Sequence, residues 1–375
     1  MPEPLAPTVR RLGWLHFWND FTLDFLSPLL PSGVGAAWLG VMEGAADASA
    51  QVLKIASGRA SDRDGRRVPW LRWGYGLNAL ARPLSAVGLF VAWPWWIAGC
   101  RLADRIGKGV RGSAADALVA DWTDKPQHAR AYSRMRMMDH LGATAGALAA
   151  AAVAYAHPDW LPYAVAALVL PMLVQFFLLA RLQERGPITT KTTIAGWWPA
   201  DPATRRALWI VGVATLGRIS PLVILADAAA GWELWTTCLA WAGLGLVQAG
   251  AAAVTGSLME RWGTPRILAL AWAVGAMAFA GLAFLDGPAR LVCAGGLGVL
   301  LGAVEGGEKT LVAAVVPAGE RGTAFGALAI MAGAAGLLAN GAVGLGLAAG
   351  GAGRLALLLP AGAGLTAALL VAARR

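Results

Sequence analysis

Six ionisable residues recur along one apolar stretch: Arg101, Asp104, Arg105, Lys108, Arg111 and Asp116. At about 100° per helical residue they share a face roughly 140° wide. A second stretch carries Glu43, Asp47 and Lys54 within about 40° of one another. A third carries His16, Asn19, Asp20 and Asp24, with the two acids one helical turn apart. Others hold Arg136, Asp139 and His140; Arg218 and Asp227; Glu305, Glu308 and Lys309; and Asn340. Acids set beside bases can load and release protons, with Asp20, Glu43, Asp104 and Glu305 the candidates. The cations suit an anion and the acids suit a cation, so the lining fits a zwitterion or another small polar solute. A large apolar compound would call for an aromatic-lined pocket. The competing reading is structural, with opposite charges neutralising one another in buried pairs. Buried ion pairs seldom add stability over apolar packing, so a seam of this length points to use.

The stretches that carry these charges must be membrane helices. The chain has 375 residues, 57% hydrophobic and 14% charged, whereas a soluble domain is about 25% charged. Its apolar residues come in runs of about 20, enough to cross a bilayer as a helix. The runs are continuous and do not alternate, which excludes a barrel. Twelve spans are expected, near residues 10–30, 34–58, 69–90, 93–120, 131–156, 160–182, 206–228, 232–257, 265–285, 289–316, 323–348 and 354–373. A charge in hydrocarbon costs at least a few kcal/mol, so those within spans face a protein interior or a water cavity.

The net charge of +9 does not mark a nucleic-acid binder, because the basic residues sit in short loops between spans. With both termini inside, the cytoplasmic segments hold about 20 Lys and Arg, and the outer loops hold two, Arg290 and Arg354. The polar N-terminus shows no cleavable signal, so the first span is expected to start insertion. Cys100, Cys238 and Cys293 lie in apolar runs without metal or disulfide spacing and read as core residues. No Gly-x-x-x-x-Gly-Lys-Ser/Thr loop occurs, so ATP hydrolysis is not expected. No cofactor, no metal and no enzymatic centre is expected. The expected partners are a small-molecule solute, protons and the lipid bilayer, and the chain is expected to act as a monomer.

A charged knot, Gly58-Arg59-Ala60-Ser61-Asp62-Arg63-Asp64-Gly65-Arg66-Arg67, separates the second and third spans. About 198 residues later comes a weaker copy, Gly256-Ser257-Leu258-Met259-Glu260-Arg261-Trp262-Gly263-Thr264-Pro265-Arg266. Two copies, each in a short loop between apolar runs, argue for a duplicated unit. They resemble the loop after the second helix of major facilitator superfamily transporters and its echo after the eighth. Further strings resemble a bacterial and archaeal branch of that superfamily whose substrates are poorly defined. These are Phe17-Trp18-Asn19-Asp20, Pro28-Leu29-Leu30-Pro31, Gly40-Val41-Met42-Glu43-Gly44, Asp104-Arg105-Ile106-Gly107-Lys108-Gly109-Val110-Arg111, Arg136-Met137-Met138-Asp139, Glu305-Gly306 and Arg321-Gly322-Thr323-Ala324-Phe325-Gly326. Members of the branch carry Pro-Arg before the Asp-Ala of span four, where this chain has Ala114-Ala115. One cationic contact is therefore absent.

The resemblance implies an all-α polytopic membrane protein with twelve helices in two six-helix halves related by a pseudo-two-fold axis. The halves would be residues 1–182 and 206–375, joined by a cytoplasmic linker at 183–205. It implies alternating access around a central site lined by spans one, four, seven and ten. Asp62 would meet the positive end of span eleven near Gly322 to Gly326, and Glu260 would meet span five near Ala131 to Ser133. Both contacts would form when the cytoplasmic side is shut. Gly58 and Gly256 would allow close helix approach, while Arg63, Arg66, Arg67 and Arg261 would also anchor the topology. The expected function is a proton-coupled secondary transporter of the cytoplasmic membrane. The alternative is a transporter-like sensor or assembly partner without flux, which a seam filled by its own ion pairs would favour.

Overall fold

The computed structural model describes residues 6–30, 36–123, 128–184, 198–199, 201–228, 231–287, 289–316 and 321–373. The side chains of Asp62, Arg63, Glu260 and Glu305 and most of the 183–205 linker lie outside the described residues. The described chain is almost wholly helical: α1 (Pro7–Leu26), α2 (Ala36–Asp64), α3 (Val68–Phe90), α4 (Pro94–Asp121), α5 (His128–Ala156), α6 (Leu161–Ala166) and α7 (Val169–Ala180). Then follow α8 (Pro202–Thr215), α9 (Pro221–Ala228), α10 (Leu234–Trp262), α11 (Thr264–Phe284), α12 (Ala289–Ala313), α13 (Arg321–Ala349) and α14 (Leu358–Ala372), the last preceded by a 3-10 segment, Gly351–Leu357. Ten of the expected spans fall on one helix each, and the other two, 160–182 and 206–228, fall on two helices each. Among the described residues, seven stretches are long and apolar enough to cross a bilayer. Five of the seven follow residue 230 and two precede it. α1, α2 and α4, by contrast, each carry at least four charged residues.

Two expected spans are broken, and proline is the cause. A proline ring inside a helix clashes with the carbonyl four residues earlier and removes an N–H donor. Pro171 separates α6 from α7 at Ala167–Leu168, and Pro221 separates α8 from α9 between Leu216 and Ser220. At Pro94 and Pro202 proline starts a helix, where its fixed φ suits the first turn, whereas Pro83 lies inside α3 without ending it. Asp201 caps α8, its carboxylate accepting from the Thr204 backbone N–H and hydroxyl, each at 2.7 Å. Those hydrogen bonds hold the Asp201 carboxyl below the usual range. In the two knots, Gly65 and Gly263 both have positive φ, 61° and 87°. L side chains resist that conformation.

The chain forms two compact units. One comprises residues 1–33, 49–191 and 231–243, and the other 34–48, 192–230 and 244–375. In the first, α1 lies along α5 and α3 along α4. One core gathers Leu12, Leu15, Leu71, Tyr75, Leu118 and Met135, and another gathers Phe25, Leu29, Ala150, Leu161, Val165 and Cys238. In the second, α11 packs against α12 and α14.

The α1–α5 contact is backbone on side-chain-free backbone. A Cβ at Gly142 or Gly146 would overlap the carbonyl oxygen of Phe17 or Phe21. Gly142→Val is therefore expected to push the two helices apart. The cost of such overpacking is about 1–3 kcal/mol, read as a lower melting temperature of the purified protein in detergent. Gly76 has open space around it, so Gly76→Ala should leave the melting temperature within the error of wild type.

Candidate functional site

In the first unit the polar seam closes on Asp104. Its carboxylate Oδ1 accepts from Arg82 Nε at 2.7 Å and from Asn78 Nδ2 at 2.6 Å. Asn78 Nδ2 also donates to the Asp104 carbonyl at 2.7 Å. Arg82 reaches on to α1, donating to the Asn19 carbonyl and to Thr22 Oγ1. Arg111 Nε donates to Asn78 Oδ1 at 3.2 Å, and Arg111 Nη1 to the Tyr75 hydroxyl at 3.1 Å. The Arg111 guanidinium lies 4.4 Å from the Tyr75 ring centroid, within cation–π range. One network thus ties α1, α3 and α4. Arg82 is 1% exposed. A charge so deeply buried persists only with several partners.

The sequence set Asp104 beside Arg101 and Lys108 on its own helix. The ion pair it makes is with Arg82 of α3. Gly74 and Gly107 explain this, since a Cβ on either would strike the other's backbone. Two helices that close can share a carboxylate. Arg101 and Arg105 are also buried and act electrostatically on both Asp104 and Asp24. Lys108, which is exposed, and Arg111 act on Asp20. Asn19 Nδ2 donates to Asp20 Oδ1 at 2.6 Å, and Trp241 Nε1 to Asp24 Oδ1 at 3.1 Å. Asp20, Asp24, Arg101, Asp104, Arg105, Lys108 and Arg111 therefore share one electrostatic neighbourhood. Asp104 Oδ2 and Asn19 Oδ1 are buried there with no hydrogen-bond partner among the described residues. Alongside, His16 Nδ1 meets Asp139 Oδ1 at 2.7 Å and Arg136 meets Asp139 Oδ2 at 3.3 Å. The histidine thus has a carboxylate partner on α5.

At the knot between α2 and α3, Arg67 is buried. Its Nη1 donates to Ser61 Oγ at 2.9 Å and its Nε reaches Asp121 Oδ2 at 3.4 Å. Glu184 caps α3, accepting from Arg67 N–H at 2.8 Å and Val68 N–H at 2.6 Å. Trp122 Nε1 donates to the Gln183 carbonyl and Arg11 to the Arg181 carbonyl. The segment that leads into the linker is therefore fastened to α1, α3 and α4. Arg66 and Arg261 are exposed. Gly58 packs on Ser113 of α4, whereas Gly256 has open space around it. The side chains of Asp62, Arg63 and Glu260 lie outside the described residues.

The second unit holds a different set. Glu43, on the first part of α2, is fully buried and accepts from Ser220 Oγ at 3.3 Å. Ser220 N–H donates to Asn340 Oδ1 at 2.6 Å. Asp47, one turn beyond Glu43, is half-buried. Arg218 pairs with Glu308, whose other oxygen accepts from Trp272 Nε1 at 3.2 Å. Asp227 pairs with Arg290. Glu305 lies outside the described side chains.

The sequence reasoning missed Arg82, Asn78, Tyr75, Ser220, Trp272 and Glu184. The first three recur at i, i+3 and i+7 in an apolar run, one face of a helix. An arginine deep inside a span was signal enough to place Arg82 with the seam.

Over residues 12–339 the sequence matches the Major Facilitator Superfamily. Uncharacterized proteins of Mycobacterium bovis and Mycobacterium tuberculosis are 34% identical over 163 residues, 43% of this chain and 39% of theirs. The match thus spans less than half the length of those relatives. The chain is similar in fold to the human organic anion transporter MFSD10 (TETRAN), with TM-score 0.71, 16% identity, and 98% and 100% of the two chains covered. It is likewise similar to an auto-inhibited POT family peptide transporter, with TM-score 0.74, 12% identity and coverage of 99% and 97%. A bacterial homologue of the iron transporter ferroportin, in an inward-facing state, gives TM-score 0.65, 16% identity and 99% coverage of each chain.

The Arg82–Asp104 pair makes a test of the network. Arg82→Ala leaves Asp104 buried without its main partner, a loss of about 3–5 kcal/mol for a buried pair. Replacing both with apolar residues, as in Arg82→Met with Asp104→Leu, is expected to recover part of that stability. Thermal unfolding of the variants and the double variant reads both outcomes. Glu184→Ala removes a helix cap and is expected to cost about 1 kcal/mol, with limited proteolysis after residue 184 accelerated.

Proposed function

The chain belongs to the Major Facilitator Superfamily, and we propose that it is a secondary active transporter, moving a small polar or charged solute across the cytoplasmic membrane by alternating access coupled to protons. Membership and the transporter folds it resembles point to transport and away from catalysis. The observation that carries the reading is the cross-helix seam of the first unit. Asp20, Asp24, Arg101, Asp104, Arg105, Lys108 and Arg111 are gathered where lipid would tolerate none of them alone. An organic anion transporter and a peptide transporter are among the solved structures of similar fold, and both names denote polar cargo.

In this proposal the halves are residues 1–182 and 206–375, tethered by 183–205, with twelve spans and both termini in the cytoplasm. Arg82, Asn78 and Tyr75 hold the frame. Asp20 and Asp24, half-buried beside the cations of α4, exchange protons as solute enters and leaves. Asp62 and Glu260 are the gating acids, biasing the equilibrium toward the state closed on the cytoplasmic side.

Purified protein in proteoliposomes, offered a panel of amino acids, organic acids, sugars and amines, is expected to accumulate at least one solute under an imposed pH gradient. Asp20→Asn should slow that uptake about tenfold or more, the effect of roughly 1.4 kcal/mol on a barrier. Asp62→Asn should lower turnover with an unchanged melting temperature. Uptake indifferent to the gradient removes proton coupling, and normal turnover in Asp62→Asn removes the gate.

A further inference from the structure

We propose that Arg218 is the receptor for an anionic group of the solute, carboxylate in class, and that Glu308 is the proton-accepting group that releases it. The inference rests on the transport reading and assigns its second unit a substrate-sign and coupling role. The pair is unequal. The Arg218 side chain is 34% exposed and that of Glu308 is 3% exposed. Arg218 gives Glu308 its Nη2. Its Nε has no hydrogen-bond partner among the described residues. Nε and Nη2 form one edge of the guanidinium fork, the edge that matches a carboxylate with two parallel hydrogen bonds. Glu308 engages half of that edge.

The surroundings fit an exchange. Arg218 sits in the α8–α9 break, where the backbone is not helical. Irregular backbone at membrane depth persists where protein buries it or where it lines a cavity. Here a small void, with room for about one water, is walled by Gly217, Trp272, Gly275, Val304 and Pro360. Arg218 and Glu308 are the charged residues lining it. On α12 itself the adjacent Lys309 is exposed, and the Glu305 side chain lies outside the described residues. From α10, the groups meeting α12 include Gln248, Ala251 and Met259, all uncharged. From α11, Trp272 Nε1 donates to Glu308 Oε1.

Charge bookkeeping then fixes the coupling. In the resting pair the guanidinium cation and the carboxylate anion sum to zero. An anion that took Arg218 alone would leave Glu308 ionised, buried and without its cation, which is costly. If one proton moves onto Glu308 Oε2, the acid is neutral and Trp272 still donates to Oε1. The anion takes the Nε–Nη2 edge and the site again sums to zero. Proton and anion therefore favour each other's binding, and the coupling is reciprocal.

The test uses the full-length purified protein. Phenylglyoxal labelling is read by mass spectrometry at Arg218, with the exposed Arg206 as internal reference. It is expected to rise several-fold in Glu308→Gln, which mimics the protonated acid. The wild-type ratio should rise in the same direction between about pH 8 and about pH 5, giving the reading without a variant. Succinate and benzoate should raise the wild-type melting temperature at the lower pH and not at the higher. They should raise that of Glu308→Gln at both, and that of Arg218→Gln at neither. Equal labelling in wild type and Glu308→Gln overturns the exchange. So does stabilisation that ignores pH, survives in Arg218→Gln, or is absent for both anions in Glu308→Gln. If labelling and anion binding behave as stated but no solute is moved, the transport reading fails and the exchange stands. If flux under a pH gradient is unchanged in Glu308→Gln, the transport reading stands and the exchange fails.

Discussion

A guanidinium that water cannot reach must find acceptors within the protein, and Arg82 sets the arrangement of the first unit on those terms. It takes a carboxylate from α4, and a carbonyl and a hydroxyl from α1. An isolated charge at membrane depth costs several kcal/mol. The three helices are therefore bound to one geometry, since no helix can shift without stranding a donor or acceptor. Arg111 extends the constraint by joining Asn78 to Tyr75. The seam is rigid on one side and half-buried on the other, at Asp20 and Asp24. Fixed charges shape the field in which the less buried acids act.

The two units treat arginine differently. Arg82 is enclosed and shares three partners among two neighbouring helices. Arg218 is a third exposed and holds one carboxylate. A fully satisfied buried cation is a scaffold, since every exchange of partner leaves something uncompensated. A partly exposed cation with a spare edge can change partner, provided that the partner it leaves is neutralised. Among the described residues most of the buried charge lies in the first unit, yet Arg218 of the second unit is the more exposed of the two arginines.

Much of this was legible before any coordinates. The apolar runs gave the helices, and the period of the charges gave their faces. The partners across helices were not legible. Helical period ranks residues around one axis and says nothing about which neighbour meets that face. Asp104 was therefore set against its own helix, although α3 supplies its cation. The decisive quantity was the approach of α3 to α4 at Gly74 and Gly107, a contact between residues 33 apart in sequence with no pattern to announce it. Glu184 escaped notice for the same reason, since a cap contributed from over a hundred residues away leaves no local signature. Arg82 was different. It stood deep in an apolar span, and the cost of an unpaired charge in lipid was reason enough to look for its acid.

The two proline breaks show how one local chemistry serves different ends. At Ala167–Leu168 the freed backbone is satisfied locally, with Leu168 N–H bonded to Val165 and Leu170 N–H to Ala167. The surroundings there are apolar, and the break is a bend. At Leu216–Ser220 the first turns are again local, from Gly217 to Ala214 and from Arg218 to Thr215. Ser220 N–H, however, is satisfied by the side chain of Asn340 on α13. Its hydroxyl is turned to Glu43, and Arg218, within the break, meets Glu308. A break that recruits acceptors from other helices concentrates polar groups, because each recruited side chain must itself be satisfied. Pro221 thus accounts for more than a kink: it explains why Glu43, Glu308 and Asn340 converge on five residues of irregular backbone.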